Sequence, residues 1–311
     1  YEVGGDWVNY IRNLHLLDGV SFKEGVTQTK GEVAYDSLNW LAANVAGGIY
    51  FVDTVCAVLF SWGLVVFCRA QPRPWLALTV AVPYLVIVVA MGYTRQGVAI
   101  GLIMLGLVAL SKGKTLRFIV FVVLAATFHK TAVVLMPLAV LASRKSKLWS
   151  VLWIGLTSIL FYVLLLQDSV SDLTNNYITA EYDSSGAAIR VAMNAVPASV
   201  FLVLRRRFMM AETDRVFWTW MSLGALGFVA LLVVSPSSTA VDRMALYWIP
   251  LQLFVLSRLP NALGQTEGRN SKWVYAVVAY SAAVQFVWLF FATYSFTWLP
   301  YQFYPWVALW K

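Results

Sequence analysis

Charge is scarce in this chain: Asp, Glu, Lys and Arg make up 12% of its 311 residues, where soluble domains carry about 25%. Histidine occurs only at His15 and His129, and cysteine only at Cys56 and Cys68. That supply excludes a histidine-rich or Cys/His metal cluster, so no metal site is expected. The two cysteines share one apolar run, and their separation along a helix is roughly 18 Å, beyond the reach of a disulfide. A glycine-rich phosphate loop, a Gly-x-Ser-x-Gly elbow and a dinucleotide fingerprint are all missing, which argues against ATP-driven transport by this chain.

What the chain has instead is apolar surface. It is 60% hydrophobic with 14 Trp, and its mean hydropathy is +0.71, which does not describe a water-soluble fold. Runs near the roughly 20 residues that cross a bilayer fall at 49–67, 75–93, 97–110, 148–166, 187–204, 216–234 and 273–294. A shorter run covers 244–259, and the run 118–142 is interrupted at its midpoint by His129 and Lys130. The expected fold is an all-α polytopic integral membrane protein with roughly 8–10 transmembrane or half-membrane helices.

Basic residues set the expected orientation. Arg69, Arg73, Lys112, Lys114, Arg117, Arg144, Lys145, Lys147, Arg205, Arg206, Arg207, Arg215, Arg258, Arg269 and Lys272 all fall in connections that can share one side. By the positive-inside rule that side is the cytoplasm. Topology then accounts for the net charge of +8, and nucleic acid is not an expected partner. The chain reads as one membrane domain, 1–311: residues 1–47 outside, a transmembrane bundle over 49–294, and an outer tail over 295–311. Because it opens at Tyr1 on the outer side, a hydrophobic segment is expected upstream, either a further span or a cleaved signal peptide.

Two features refine this picture. Basic clusters flank the run 118–142, yet each half of it spans only about 18 Å at 1.5 Å per residue, against a roughly 30 Å core. Two half-length helices meeting at Phe128-His129-Lys130 satisfy both constraints around a protein-lined cavity; one tilted span that breaks the charge rule is the alternative. An ionisable pair at that depth reads as functional, or as a satisfied structural histidine. Near the start, Trp7, Tyr10, Ile11, Leu14 and Leu17 share one helical face, which suits an interfacial helix. A second is expected from Asp36-Ser37 as N-cap through Leu38, Leu41 and Val45. The spacing of Gly97 and Gly101 predicts close helix packing.

Polar residues collect at the outer face: Asp6, Glu32, Asp36, Arg95, Gln96, His129, Lys130, Asp242 and Arg243. Arg95-Gln96 and Asp242-Arg243 are each expected to open a span. Arginine at an outward helix N-terminus suits a diphosphate or another anion, whereas a single arginine also serves as a headgroup anchor.

Taken in order, Gly5-Asp6 with Tyr10, Glu32 with Tyr35, Tyr93-Thr94-Arg95-Gln96 with Ala99, Phe128-His129-Lys130-Thr131-Ala132, Asp242-Arg243 with Tyr247, and Pro300-Tyr301 resemble the EpsG group of Wzy-like polysaccharide polymerases. The resemblance spans essentially the whole chain. It departs at Val33-Ala34, where a proline often follows the glutamate, and Lys130 is a variable position of the pattern. It implies a GT-C-like bundle in a bacterial cytoplasmic membrane, joining undecaprenyl-diphosphate-linked oligosaccharide donor and acceptor units on the outer face without metal or cofactor. Membrane lipids and a chain-length regulator are the other implied partners. On this reading Arg95 and Arg243 bind the diphosphate, and His129, Asp6 or Glu32 takes the acceptor proton. Gln96 and Asp242 orient neighbours, and Tyr301, with Trp7, Trp40, Trp298 and Trp306, stacks on sugars or belongs to the membrane belt. The rival readings are a transferase using a monophosphate lipid carrier, a glycan ligase, and a lipid-linked oligosaccharide flippase.

Overall fold

Glycine at 63 and 101 allows two apolar helices to cross with their backbones in contact, and the bundle is built around that crossing. A Cβ on Gly63 would overlap the Gly101 carbonyl oxygen, and one on Gly101 would lie 2.7 Å from the Phe60 Cα. The structure, a computed structural model, describes residues 2–28, 32–45, 47–138, 186–235, 237–264 and 270–303, with isolated positions 152, 155 and 184. The expected span at 148–166, apart from those positions, most of the loop 168–190, residues 139–142 of the run 118–142 and Trp306 lie outside the described residues.

Three short helices come first: α1 (Trp7–Leu16), α2 (Phe22–Gln28) and α3 (Val33–Asn44). The α1 face with Tyr10 and Leu14 is buried, together with Leu17 just beyond it. The helix α3 begins at Val33, three residues ahead of the expected Asp36-Ser37 cap. The Ser37 hydroxyl is inside the helix and donates back to the Val33 carbonyl at 2.6 Å, and the extended backbone of Glu32 takes the N-cap position.

The membrane helices follow. They are α4 (Gly48–Arg69), α5 (Pro74–Ala81) continued by a π-helical stretch Val82–Ala90, α6 (Thr94–Ser111) and α7 (Thr115–Phe128). Pro74 suits the first turn of α5 because its missing N–H would have no partner there. Pro83 within the same run cannot donate to the ladder, and the helix widens from that point. Every residue of α6 from Gln96 to Leu110 is buried, which makes α6 the central helix between α4 and α7. Its two spaced glycines face different neighbours: Gly101 meets α4, while a Cβ on Gly97 would lie 3.0 Å from the Ala90 Cα.

The second half holds α8 (Ala187–Leu204), α9 (Glu212–Val234), α10 (Ser238–Ala245), a 3₁₀ turn Leu246–Trp248, α11 (Ile249–Leu263), α12 (Ser271–Phe291) and a final 3₁₀ turn Ser295–Trp298. A buried polar seam ties it together. Asn194 donates to the Ala245 carbonyl at 2.7 Å, Gln252 donates to Asn194 at 2.8 Å, and the Trp248 indole donates to the Met221 carbonyl at 2.8 Å. Such bonds locate helices that share an apolar surroundings.

By length and apolarity α4, α6, α8, α9 and α12 can each cross a membrane, while 74–90 and α7 are shorter apolar helices. No strand occurs among the described residues. The protein is therefore an all-α polytopic membrane protein. Its basic connections meet at one end: Arg73 donates to Asn261 at 2.9 Å, Arg258 donates to Gln71, and Arg215 to the Arg205 carbonyl. The polar residues of α3, the start of α6 and His129 lie at the other end.

Candidate functional site

Arg95 is the second residue of α6, where the helix dipole already favours anions. Its Nη1 donates to Glu32 Oε2 at 2.7 Å, with the arginine side chain 36% exposed and the glutamate 11%. The guanidinium carbon stands 5.6 Å from the Tyr35 ring centroid, and Tyr35 meets Tyr10 edge to face at 6.1 Å. Burial pushes the Tyr10 phenol up to about 12, with Arg95 opposing the shift and Asp6 adding to it. Two short helices thus hold one edge of a spanning-helix arginine. Beside it, buried Gln96 donates its Nε2–H to the Arg243 carbonyl at 2.7 Å and so joins α6 to α10.

The backbone leaves helix at His129, where φ is −155° and ψ is 109°, and resumes as a 3₁₀ turn over Lys130–Leu135. His129 Nδ1 lies 2.7 Å from Thr131 Oγ1, whose hydroxyl donates to the Tyr247 oxygen at 3.3 Å. A threonine has one proton to give. Thr131 therefore occupies the Nδ1 edge of the ring, and where it accepts from Nδ1–H the lone pair is on Nε2. The Tyr247 ring packs on the imidazole at 6.2 Å, and Glu32, Arg95 and Arg243 act electrostatically on His129.

Asp242 is committed elsewhere. Its carboxylate accepts from two donors on one edge of a guanidinium, Arg190 Nε at 2.5 Å and Nη2 at 2.6 Å, a fork geometry that fixes both partners. Ser184 adds a bond to Asp242 Oδ2 at 3.0 Å. Arg243 does not stand at a helix N-terminus, as expected from sequence, but in the last turn of α10. The helical path starts at Ser238 because Ser237 caps it through the Ala240 N–H, so the dipole argument holds for Arg95 alone. Asp6 precedes α1 without capping it. Arg190, Asp6, Arg243 and Asp242 all act on Tyr93, which joins the two halves of the cluster.

Tyr301 is half exposed and lines a cavity of about 320 Å³ beneath α1, together with Trp7, Tyr10, Asp53 and Thr94. Sequence reasoning passed over both Asp53 and Arg190. Each carried a signal: Asp53 is an acid inside an apolar run, and Arg190 is a base on the side that should be poor in bases. Among the described residues no three His, Cys, Asp or Glu side chains converge as a metal site. The cluster instead offers fixed cations beside a histidine lone pair, an arrangement suited to an anionic leaving group and a proton acceptor.

No curated protein sequence and no solved structure matches the chain. The model of the EpsG family matches residues 1–303, which include each residue of this cluster. The chain belongs to the EpsG family.

Proposed function

We propose that this protein is a polysaccharide polymerase that joins polyprenyl-diphosphate-linked oligosaccharide units at the outer face of a bacterial cytoplasmic membrane. The observation that carries the reading is the placing of Arg95, Arg243 and His129 at the end of the bundle opposite its basic connections. An acceptor hydroxyl oxygen attacks the anomeric carbon of the donor glycan. The bond from that carbon to the diphosphate oxygen breaks, and its electron pair leaves with the polyprenyl diphosphate. Arg95 and Arg243 stabilise the charge that develops there. Glu32 is held by Arg95, and of the remaining candidates, Asp6 and His129, His129 stands in the electrostatic reach of both Arg95 and Arg243 and takes the acceptor proton.

The test is incubation of the purified protein with a synthetic lipid-diphosphate repeat unit, without nucleotide sugar and with EDTA present. A ladder of glycans at multiples of the unit supports the proposal. Unchanged substrate, with a unit verified to match the organism's own polymer, contradicts it.

A further inference from the structure

A groove of about 310 Å³ runs along the flank of the bundle between α8 and α12. Its walls are apolar, built from Ile189 and Met193 of α8 and from Ala283, Val284 and Val287 of α12. On α12 the lining extends from Tyr280 to Phe291, about 16 Å of helix. That helix lies at the periphery, with Tyr275, Val278, Phe286, Phe290 and Phe291 exposed on a segment apolar enough to cross a membrane. The groove therefore faces lipid along its length.

Its outer end is different in kind. Arg190 and Tyr84 line it there. Arg190 holds Asp242 through Nε and Nη2, while its Nη1 lies over Gly186, another lining residue, where an added Cβ would approach to 3.4 Å. Asp242 is followed by Arg243, whose carbonyl is held by Gln96 next to Arg95. An apolar trough headed by a cation that adjoins the candidate site matches a ligand with an anionic head and a long hydrocarbon tail.

We infer that this groove takes the polyisoprenyl chain of the lipid diphosphate donor, with Arg190 as a positioning residue that directs the diphosphate toward Arg243 and Arg95. The inference rests on the polymerase reading for the identity of the lipid. An anionic phospholipid shares the head charge and the apolar tail; continuity between the cation at the head and the candidate site favours a substrate lipid.

The experiment compares donors carrying a two-isoprene chain with donors carrying a full-length polyprenyl chain, using the whole purified protein. Ala283 is exposed within the groove, so Ala283→Trp fills the trough without entering the core. It should raise KM for the long-chain donor roughly tenfold or more, the loss of about two methylenes of burial, and leave KM for the short-chain donor unchanged. Val278→Trp, on the exposed face away from the lining, should change neither. An unchanged long-chain KM in Ala283→Trp overturns the inference even where the wild type polymerises. A second readout works without turnover: a polyprenyl diphosphate with a photoreactive group on the third isoprene from the diphosphate should label residues 280–291. Labelling displaced by unlabelled polyprenyl diphosphate and not by phosphatidylglycerol supports the groove even if no ladder forms. Labelling absent, or displaced equally by both lipids, overturns it.

Discussion

The contact between Arg95 and Glu32 is 2.7 Å long and partly open to solvent, so its contribution to stability is small, on the order of 0–1 kcal/mol. Its consequence is geometric: one edge of the fork is fixed by Glu32, and the face of the arginine is fixed by Tyr35. Lysine cannot reproduce that arrangement, and Arg95→Lys should lower polymerisation by about 100-fold while leaving the protein folded. Steady-state assay beside a melting curve separates the two effects. His129→Ala should reduce kcat by at least about 100-fold with little change in donor KM; near-normal kcat would make the histidine a structural residue. Tyr10 gives a pH dependence with a definite sign. Its phenol is raised from 10.0 to about 12, so the folded state holds the proton after the unfolded chain has lost it. Stability associated with Tyr10 is complete below pH 10 and falls as pH rises toward 12, and Tyr10→Phe should flatten that fall in alkaline melting experiments. At this scale Arg95, Gln96, His129 and Arg243 were legible because polar residues stand out in apolar runs. The bond from Arg190 to Asp242 was not, because it joins positions far apart in sequence and no local period marks it.

Elements were legible where apolar length decides them. The runs at 49–67, 97–110, 187–204, 216–234 and 273–294 correspond to α4, α6, α8, α9 and α12. Element starts were less so, since residues outside the apolar run set them: the extended backbone at Glu32 moves the start of α3 forward, and the Ser237 cap puts Arg243 at the far end of α10. The glycine spacing in α6 foretold a close crossing, yet only the structure divides it between α4 and the π-helical stretch. Gly101 meets backbone atoms of Phe60 and Leu59, which cannot move aside as a flexible side chain would. Gly101→Leu should therefore destabilise the bundle by about 1–3 kcal/mol, and Gly113→Leu, which has open space around it but a left-handed φ of +72°, should act through backbone strain alone. Detergent melting of the two variants, with a larger drop in Tm for Gly101→Leu, checks this.

Across the whole molecule, the basic connections and the polar cluster occupy opposite ends of one helical bundle, and by the positive-inside rule the basic end is expected in the cytoplasm. Lys130→Cys should react with a membrane-impermeant thiol reagent added outside intact cells, and Arg206→Cys only after permeabilisation; the reverse pattern would invert the topology. If the bond broken in each cycle joins a glycan to a lipid diphosphate, each glycosidic bond formed releases one polyprenyl diphosphate. Counting both products in a single reaction with no nucleotide present should give one released for each bond, with both lost together in Arg95→Lys. Release of polyprenyl monophosphate instead, or bond formation only when a nucleotide sugar is supplied, would overturn the polymerase reading.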